Sequence, residues 1–239
     1  MPAKFYSHWK FTFLLAAAVL VIGTRLALAG SAAEEVLLDV CSDVLLVVGL
    51  LTVCEQRRHR LTALVLGCPA IVLELVAHAF PVEVASVVHL VGQVSAMIFL
   101  CFVVVTLIRA VITSRVVTWD TVSAALVGYI IIGAIWTQIY CALEMTRPGS
   151  FAVPAASADR LDDVTQRQTT LEYFSFTTLS TLGYGDIVPV SRPARSLACV
   201  EAICGQFYLA VLVAGLVGMR GTRPEEPPGC DVGVDKERG

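Results

Sequence analysis

The chain has 239 residues, 56% of them hydrophobic and 15% charged, with a formal net charge of −3. Soluble domains carry about 25% charged residues, so this composition, with a mean hydropathy of +0.77, excludes an ordinary soluble protein. The charge balance also offers no basic surface for nucleic acid.

A membrane helix needs about 20 mainly apolar residues. Six segments approach that length, at about 11–30, 36–53, 61–80, 84–108, 121–143 and 195–218. The sequence therefore predicts an all-α integral membrane protein. Residues 1–118 hold four of these spans, 119–219 the last two with a shorter apolar segment between them, and 220–239 a short polar tail.

Cations collect on alternate connections: Lys4 and Lys10, then Arg57, Arg58 and Arg60, then Arg109 and Arg115, then Arg220 and Arg223. The intervening loops carry Glu34, Glu35 and Glu83. By the positive-inside bias, both termini are cytoplasmic and the protein is a multi-pass component of the cell membrane. The first segment also reads as a signal peptide ending at Ala27-Leu28-Ala29, and an uncleaved first span is the reading adopted here.

Cys41, Cys54, Cys68, Cys101, Cys141, Cys199, Cys204 and Cys230 form no C-x-x-C pair and read as small packing residues, with neither a disulfide framework nor a zinc site. Glu74, His78 and His89 place titratable groups at or near membrane depth, where they could sense protons. Buried pairs that orient a bundle compete with that reading. The fourth span has Arg109 and Arg115 only at its inner end, so steep voltage dependence is not expected.

The loop from about 145 to 168 is polar and reads as a linker or a turret. A short apolar segment follows at about 170–180, opened by Thr169-Thr170-Leu171-Glu172, which fits a capping box with Thr169 as N-cap. Next comes Thr181-Leu182-Gly183-Tyr184-Gly185-Asp186. Gly183 and Gly185 admit positive φ, which suits neither a regular helix nor a strand. In the last span, Glu201 is an intramembrane acid, read as a hydrogen-bonding group behind the short helix. Gly205 follows one turn later.

The TLGYGD run, between a re-entrant helix and an apolar span, resembles the selectivity filter of the potassium-channel superfamily. The likeness is to a prokaryotic six-span channel without voltage gating. It implies that Thr181, Leu182, Gly183, Tyr184 and Gly185 form the potassium-binding strand, with Asp186 at the pore mouth. It further implies pore-helix support from Glu172, Tyr173, Phe174 and Thr177, with Tyr184 packed against Tyr173 and Phe174. Leu182 stands where Val is commoner, and Thr177 where some members carry Glu. Gly205 matches a hinge position, although close helix contact explains it equally.

The resemblance implies a homotetramer in membrane lipid that passes potassium passively, with no cofactor and with room for a separate, unknown regulatory partner. A poorly selective cation channel and a non-conducting sensor or assembly subunit with a vestigial pore are the alternatives. No nucleotide motif, metal spacing or nucleophile arrangement is found, so an enzyme is not expected.

Overall fold

The computed structural model describes residues 11, 12, 15, 16, 19, 47, 50, 60–79, 82–114, 118–154, 161 and 164–220. The elements in chain order are α1 (Arg60–Ala79), α2 (Val82–Thr113), α3 (Trp119–Thr146), β1 (Phe151–Ala152), α4 (Val164–Leu179), β2 (Val188–Pro189) and α5 (Arg192–Arg220). Among the described residues, three stretches are long and apolar enough to cross a membrane: Val91–Thr113, Trp119–Thr146 and Arg192–Gly215. Most of the first two spans expected from the sequence, and the tail after Arg220, lie outside the described residues. The side chains of Glu74, His78 and His89 do too.

Local chemistry sets the ends of α3. Thr118 is its N-cap, in extended backbone, and its hydroxyl accepts the Thr121 N–H at 3.2 Å. Asp120 lies in the first turn, where a carboxylate complements the helix dipole. The Asp120 carboxylate also accepts the backbone N–H groups of Phe11 at 2.8 Å and Thr12 at 3.2 Å. At the other end, Pro148 pushes Arg147 out of helical geometry, to φ −141° and ψ 76°. The helix stops there.

Packing follows chain order. α1 lies on α2, α2 on α3, α3 on α4 and α4 on α5, with α5 also touching α3. One buried cluster joins Ala63 and Ala70 of α1, Phe99, Val103 and Leu107 of α2, and Ala124, Val127 and Ile131 of α3. A second joins Tyr140 and Cys141 of α3, Phe151 of β1, Leu171 and Phe174 of α4, and Ala194 of α5. The rings of Tyr140, Phe151 and Phe174 meet edge to face, with centroids 5.2–5.3 Å apart. That arrangement favours the positive edge of one ring over the negative face of the next.

Two expectations are corrected here. The short helix begins at Val164 and not near 170, so Thr169 is an interior helical residue and not the N-cap. A capping box marks only a local possibility, and here the helix continues upstream of it. Part of the loop beyond α3 also has regular structure, where a linker was expected. Residues 147–154 turn and enter a two-stranded antiparallel pair, with Phe151 opposite Pro189 and Ala152 opposite Val188.

Candidate ion-conduction site

α4 points its C-terminal end into the TLGYGD segment, and the way it ends shapes that segment. The Leu182 N–H donates to the Thr177 carbonyl at 2.8 Å, and the Thr181 N–H to the Thr178 carbonyl at 2.9 Å. These are the paired bonds of a Schellman cap, with Thr181 at the left-handed position usually held by glycine. Thr181 has φ +57° and is the one non-glycine residue with positive φ among the described residues. Holding a β-branched residue there costs about 1–3 kcal/mol, the size of strain that neighbouring contacts must offset. Its hydroxyl donates to the Ser180 carbonyl at 2.7 Å and accepts from the Gln206 amide at 3.2 Å.

Gly183 and Gly185 also have positive φ, +51° and +79°. Positive φ at 181, 183 and 185 thus alternates with negative φ at Leu182 and Tyr184. Backbone that alternates in hand gathers successive N–H groups on one side and carbonyls on the other. A methyl group built on Gly183 or Gly185 would meet nothing within 4 Å, so within one chain their requirement is conformational and not steric. The Thr177 carbonyl accepts a further N–H, from Gly183 at 3.1 Å, and its hydroxyl turns back to the Phe174 carbonyl at 2.9 Å. Thr177 therefore braces the start of the segment through its backbone.

At the far end, Asp186 bridges two elements. One carboxylate oxygen accepts the Tyr173 hydroxyl at 2.8 Å and the other accepts the Ile187 N–H at 3.1 Å. The carboxylate accepting its hydroxyl pushes the Tyr173 phenol above its ordinary pKa. Tyr184 lies near Tyr173 but stays largely open to its surroundings within one chain. Its side chain is 68% exposed, while Phe174 is buried against Tyr140 and Phe151. Leu182 is 55% exposed. Glu172 is half-buried on α4.

Behind α4, Glu201 of α5 is fully buried. One of its oxygens accepts the Tyr140 hydroxyl at 2.5 Å, and the other lies 2.6 Å from the Ser175 hydroxyl. Ser175 also lies 2.9 Å from the Gly133 carbonyl. Glu201 therefore ties together α3, α4 and α5. One turn further along α5, a methyl group on Gly205 would stand 2.2 Å from the Leu179 carbonyl oxygen. Close contact with the end of α4 is thus a sufficient reason for glycine there.

Several residues that position the site went unnoticed in the sequence. Tyr140 and Ser175 carry no motif, and their partner lies 61 and 26 residues away respectively. Glu144, buried at the end of α3, accepts the N–H groups of Gly149 at 2.7 Å and Ser150 at 3.0 Å. The Ser150 carbonyl in turn accepts the N–H groups of Val190 and Ser191, just after β2. An acid placed shortly before Pro148-Gly149 was the available signal. Tyr208 of α5 lies across Gly128 and donates to the Ala125 carbonyl, fastening α5 to α3. Gln206 was also missed, because nothing in the sequence brings it to Thr181.

Residues 167–219 match a family model described as an ion channel. Over 113 residues the chain is 33% identical to the inward rectifier potassium channel Kirbac3.1 of Paramagnetospirillum magnetotacticum. The aligned stretch covers 45% of this chain and 32% of that relative, so it spans about a third of the relative's length. The matched segment contains most of α4, the whole TLGYGD run and nearly all of α5. A channel is thereby indicated, and not an enzyme. Over this stretch the chain is similar to ion channels, a potassium channel among them.

Proposed function

We propose that the protein is a potassium-selective channel that conducts passively across a membrane, assembled from four copies around a central axis. The observation that carries this reading is the alternating backbone at Thr181, Gly183 and Gly185, set at the C-terminal end of α4. A dehydrated alkali cation needs several oxygen ligands at once, and four such strands supply rings of carbonyl oxygens in place of its water. The carbonyl end of α4 carries a partial negative charge of about half an electron, which favours a cation just below the filter. The relative to which the chain is 33% identical over 113 residues is itself a potassium channel.

Assembly follows from what one chain leaves uncovered. Val200, Ile203, Phe207 and Val211 are exposed and share one face of α5, and Leu182 and Tyr184 are exposed beside the filter. Identical subunits bury such surfaces in closed cyclic symmetry. Tyr184 then packs on the neighbouring subunit, the cover it lacks within its own chain. Both termini face the cytoplasm, and potassium is cargo held by the filter residues alone.

Purified protein in liposomes tests the proposal. Potassium flux should far exceed sodium flux, and barium should block it. Gly183→Ala and Gly185→Ala should each abolish selectivity, because alanine disfavours positive φ by about 1–2 kcal/mol and each strand appears in every subunit. Equal permeation of potassium and sodium through intact assemblies overturns the selectivity. A conducting monomer or dimer by native mass measurement overturns the fourfold pore.

A further inference from the structure

We infer that Glu201 is held as a neutral carboxylic acid, whose proton completes a one-way hydrogen-bond chain and makes it the positioning residue that fixes α4 between α3 and α5. The argument is a count of protons. The Ser175 hydroxyl has one hydrogen, yet its oxygen lies within bonding distance of two acceptors, Glu201 Oε1 at 2.6 Å and the Gly133 carbonyl at 2.9 Å. One proton could serve both only as a three-centre bond, whose branches are weaker and longer than a contact of 2.6 Å. Tyr140 cannot supply the missing one, because its single hydroxyl proton goes to Oε2 at 2.5 Å.

A proton on Oε1 resolves the count. Glu201 then donates to Ser175, Ser175 donates to the Gly133 carbonyl, and Tyr140 donates to Glu201. Every hydroxyl and carboxyl proton in the chain is used, and every short contact has a hydrogen in it. With Glu201 ionised, the 2.6 Å and 2.9 Å contacts would have to share the single Ser175 proton, whereas the neutral acid gives each contact its own. The Gly133 carbonyl also receives the Thr137 hydroxyl at 2.9 Å, so it needs no second donor; it is the close approach of Ser175 that requires one.

Charge accounting points the same way. Glu201 is fully buried within a membrane-spanning helix, and among the described residues no Lys or Arg is paired with it. An unpaired carboxylate at that depth carries a large desolvation penalty, whereas the neutral acid does not. The ionisable groups that face it are Tyr140, by direct bond, and Tyr129, through space, both on α3. From α4 it is faced by the hydroxyl of Ser175, and on its own helix Cys199 lies close enough to act on Tyr140. None of these is a cation at neutral pH.

The consequence for conduction rests on the proposed pore, but the protonation state does not. Ser175 lies six residues before Thr181 on the helix that ends in the filter, so the chain from Tyr140 through Glu201 sets the seat of that helix. Infrared absorption of the purified full-length protein tests the protonation state directly. Near neutral pH the wild type should show a buried carboxylic-acid carbonyl band that Glu201→Gln lacks. If the substitution removes a carboxylate band instead, the inference is wrong.

Flux provides the second arm. A glutamine amide can donate to Ser175 and accept from Tyr140, so Glu201→Gln should conduct within about twofold of wild type with the same potassium-to-sodium ratio. Glu201→Leu and, separately, Ser175→Ala should lower selectivity or flux by about tenfold, the loss expected when a buried partner is removed. Raising the pH until the acid band disappears should reduce wild-type flux reversibly and leave the glutamine variant level. A glutamine variant as impaired as the leucine variant would mean that the ionised form is the functional one. Should the wild type conduct nothing, the infrared result still decides the inference, and only the pore reading falls.

Discussion

Gly205 of α5 lies so close to Leu179 of α4 that an added methyl group would stand 2.2 Å from the Leu179 carbonyl oxygen and 3.0 Å from its carbonyl carbon. Real side-chain carbons do not approach backbone oxygen that closely, and a helix terminus cannot yield as a flexible side chain does. The two helices therefore meet at a point where only hydrogen fits.

Gly205→Ala should accordingly destabilise the protein by about 1–3 kcal/mol, the usual cost of overpacking, and displace the proposed filter with α4. Gly215→Ala on the same helix is the matched comparison, since a methyl group there meets nothing within 4 Å. Thermal unfolding of both variants in detergent checks this. A pure hinge role would alter opening in Gly205→Ala and leave its unfolding midpoint near that of Gly215→Ala.

The contact from Tyr173 to Asp186 spans the C-terminal end of the TLGYGD segment. It requires the phenol proton, and Asp186 holds that proton by raising the pKa of Tyr173. The bond is thus present through the ordinary phenol range and is lost only as pH rises through the raised value. Asp186→Asn should make Tyr173 titrate at lower pH, read as the tyrosinate absorbance that disappears in Tyr173→Phe. No downward movement in the asparagine variant would mean that the carboxylate does not hold the phenol.

Gln206 donates to the Thr181 hydroxyl oxygen, the side-chain oxygen of the proposed innermost cation site. That bond occupies a lone pair which a cation would otherwise use. Gln206→Leu should free it and tighten barium block by about three- to tenfold, matching a hydrogen bond of about 0.5–1.5 kcal/mol. Flux titrated with barium measures the change. Unchanged block would show that Gln206 leaves Thr181 in the assembled pore.

Glu144 holds the turn after α3 by accepting two backbone N–H groups while buried itself. Glu144→Ala leaves both without that acceptor, at about 1–3 kcal/mol for each group that water cannot reach. Hydrogen exchange should quicken at Gly149 and Ser150 first, and then at Val190 and Ser191, which bond to the Ser150 carbonyl. Fast exchange confined to 149 and 150 would mean that β1 and β2 hold without this brace.

By itself, the sequence determined the membrane class, the existence of an apolar helix on each side of the TLGYGD segment, and the unusual backbone of that segment. Each rests on neighbours in the chain: apolar run length declares a span, and glycines spaced two apart declare a backbone that alternates in hand. The start of α4 was misplaced because a capping box is local and was overridden by upstream residues that continue the helix. Thr181 at positive φ was also invisible, since a β-branched residue enters that region only when the end of a helix compels it. Only the tertiary structure decided that Glu201 meets Tyr140 and Ser175, that Gly205 meets Leu179, and that Gln206 meets Thr181. Those contacts join separate elements, and their existence depends on helix rotation and approach, to which no spacing within a single segment is sensitive.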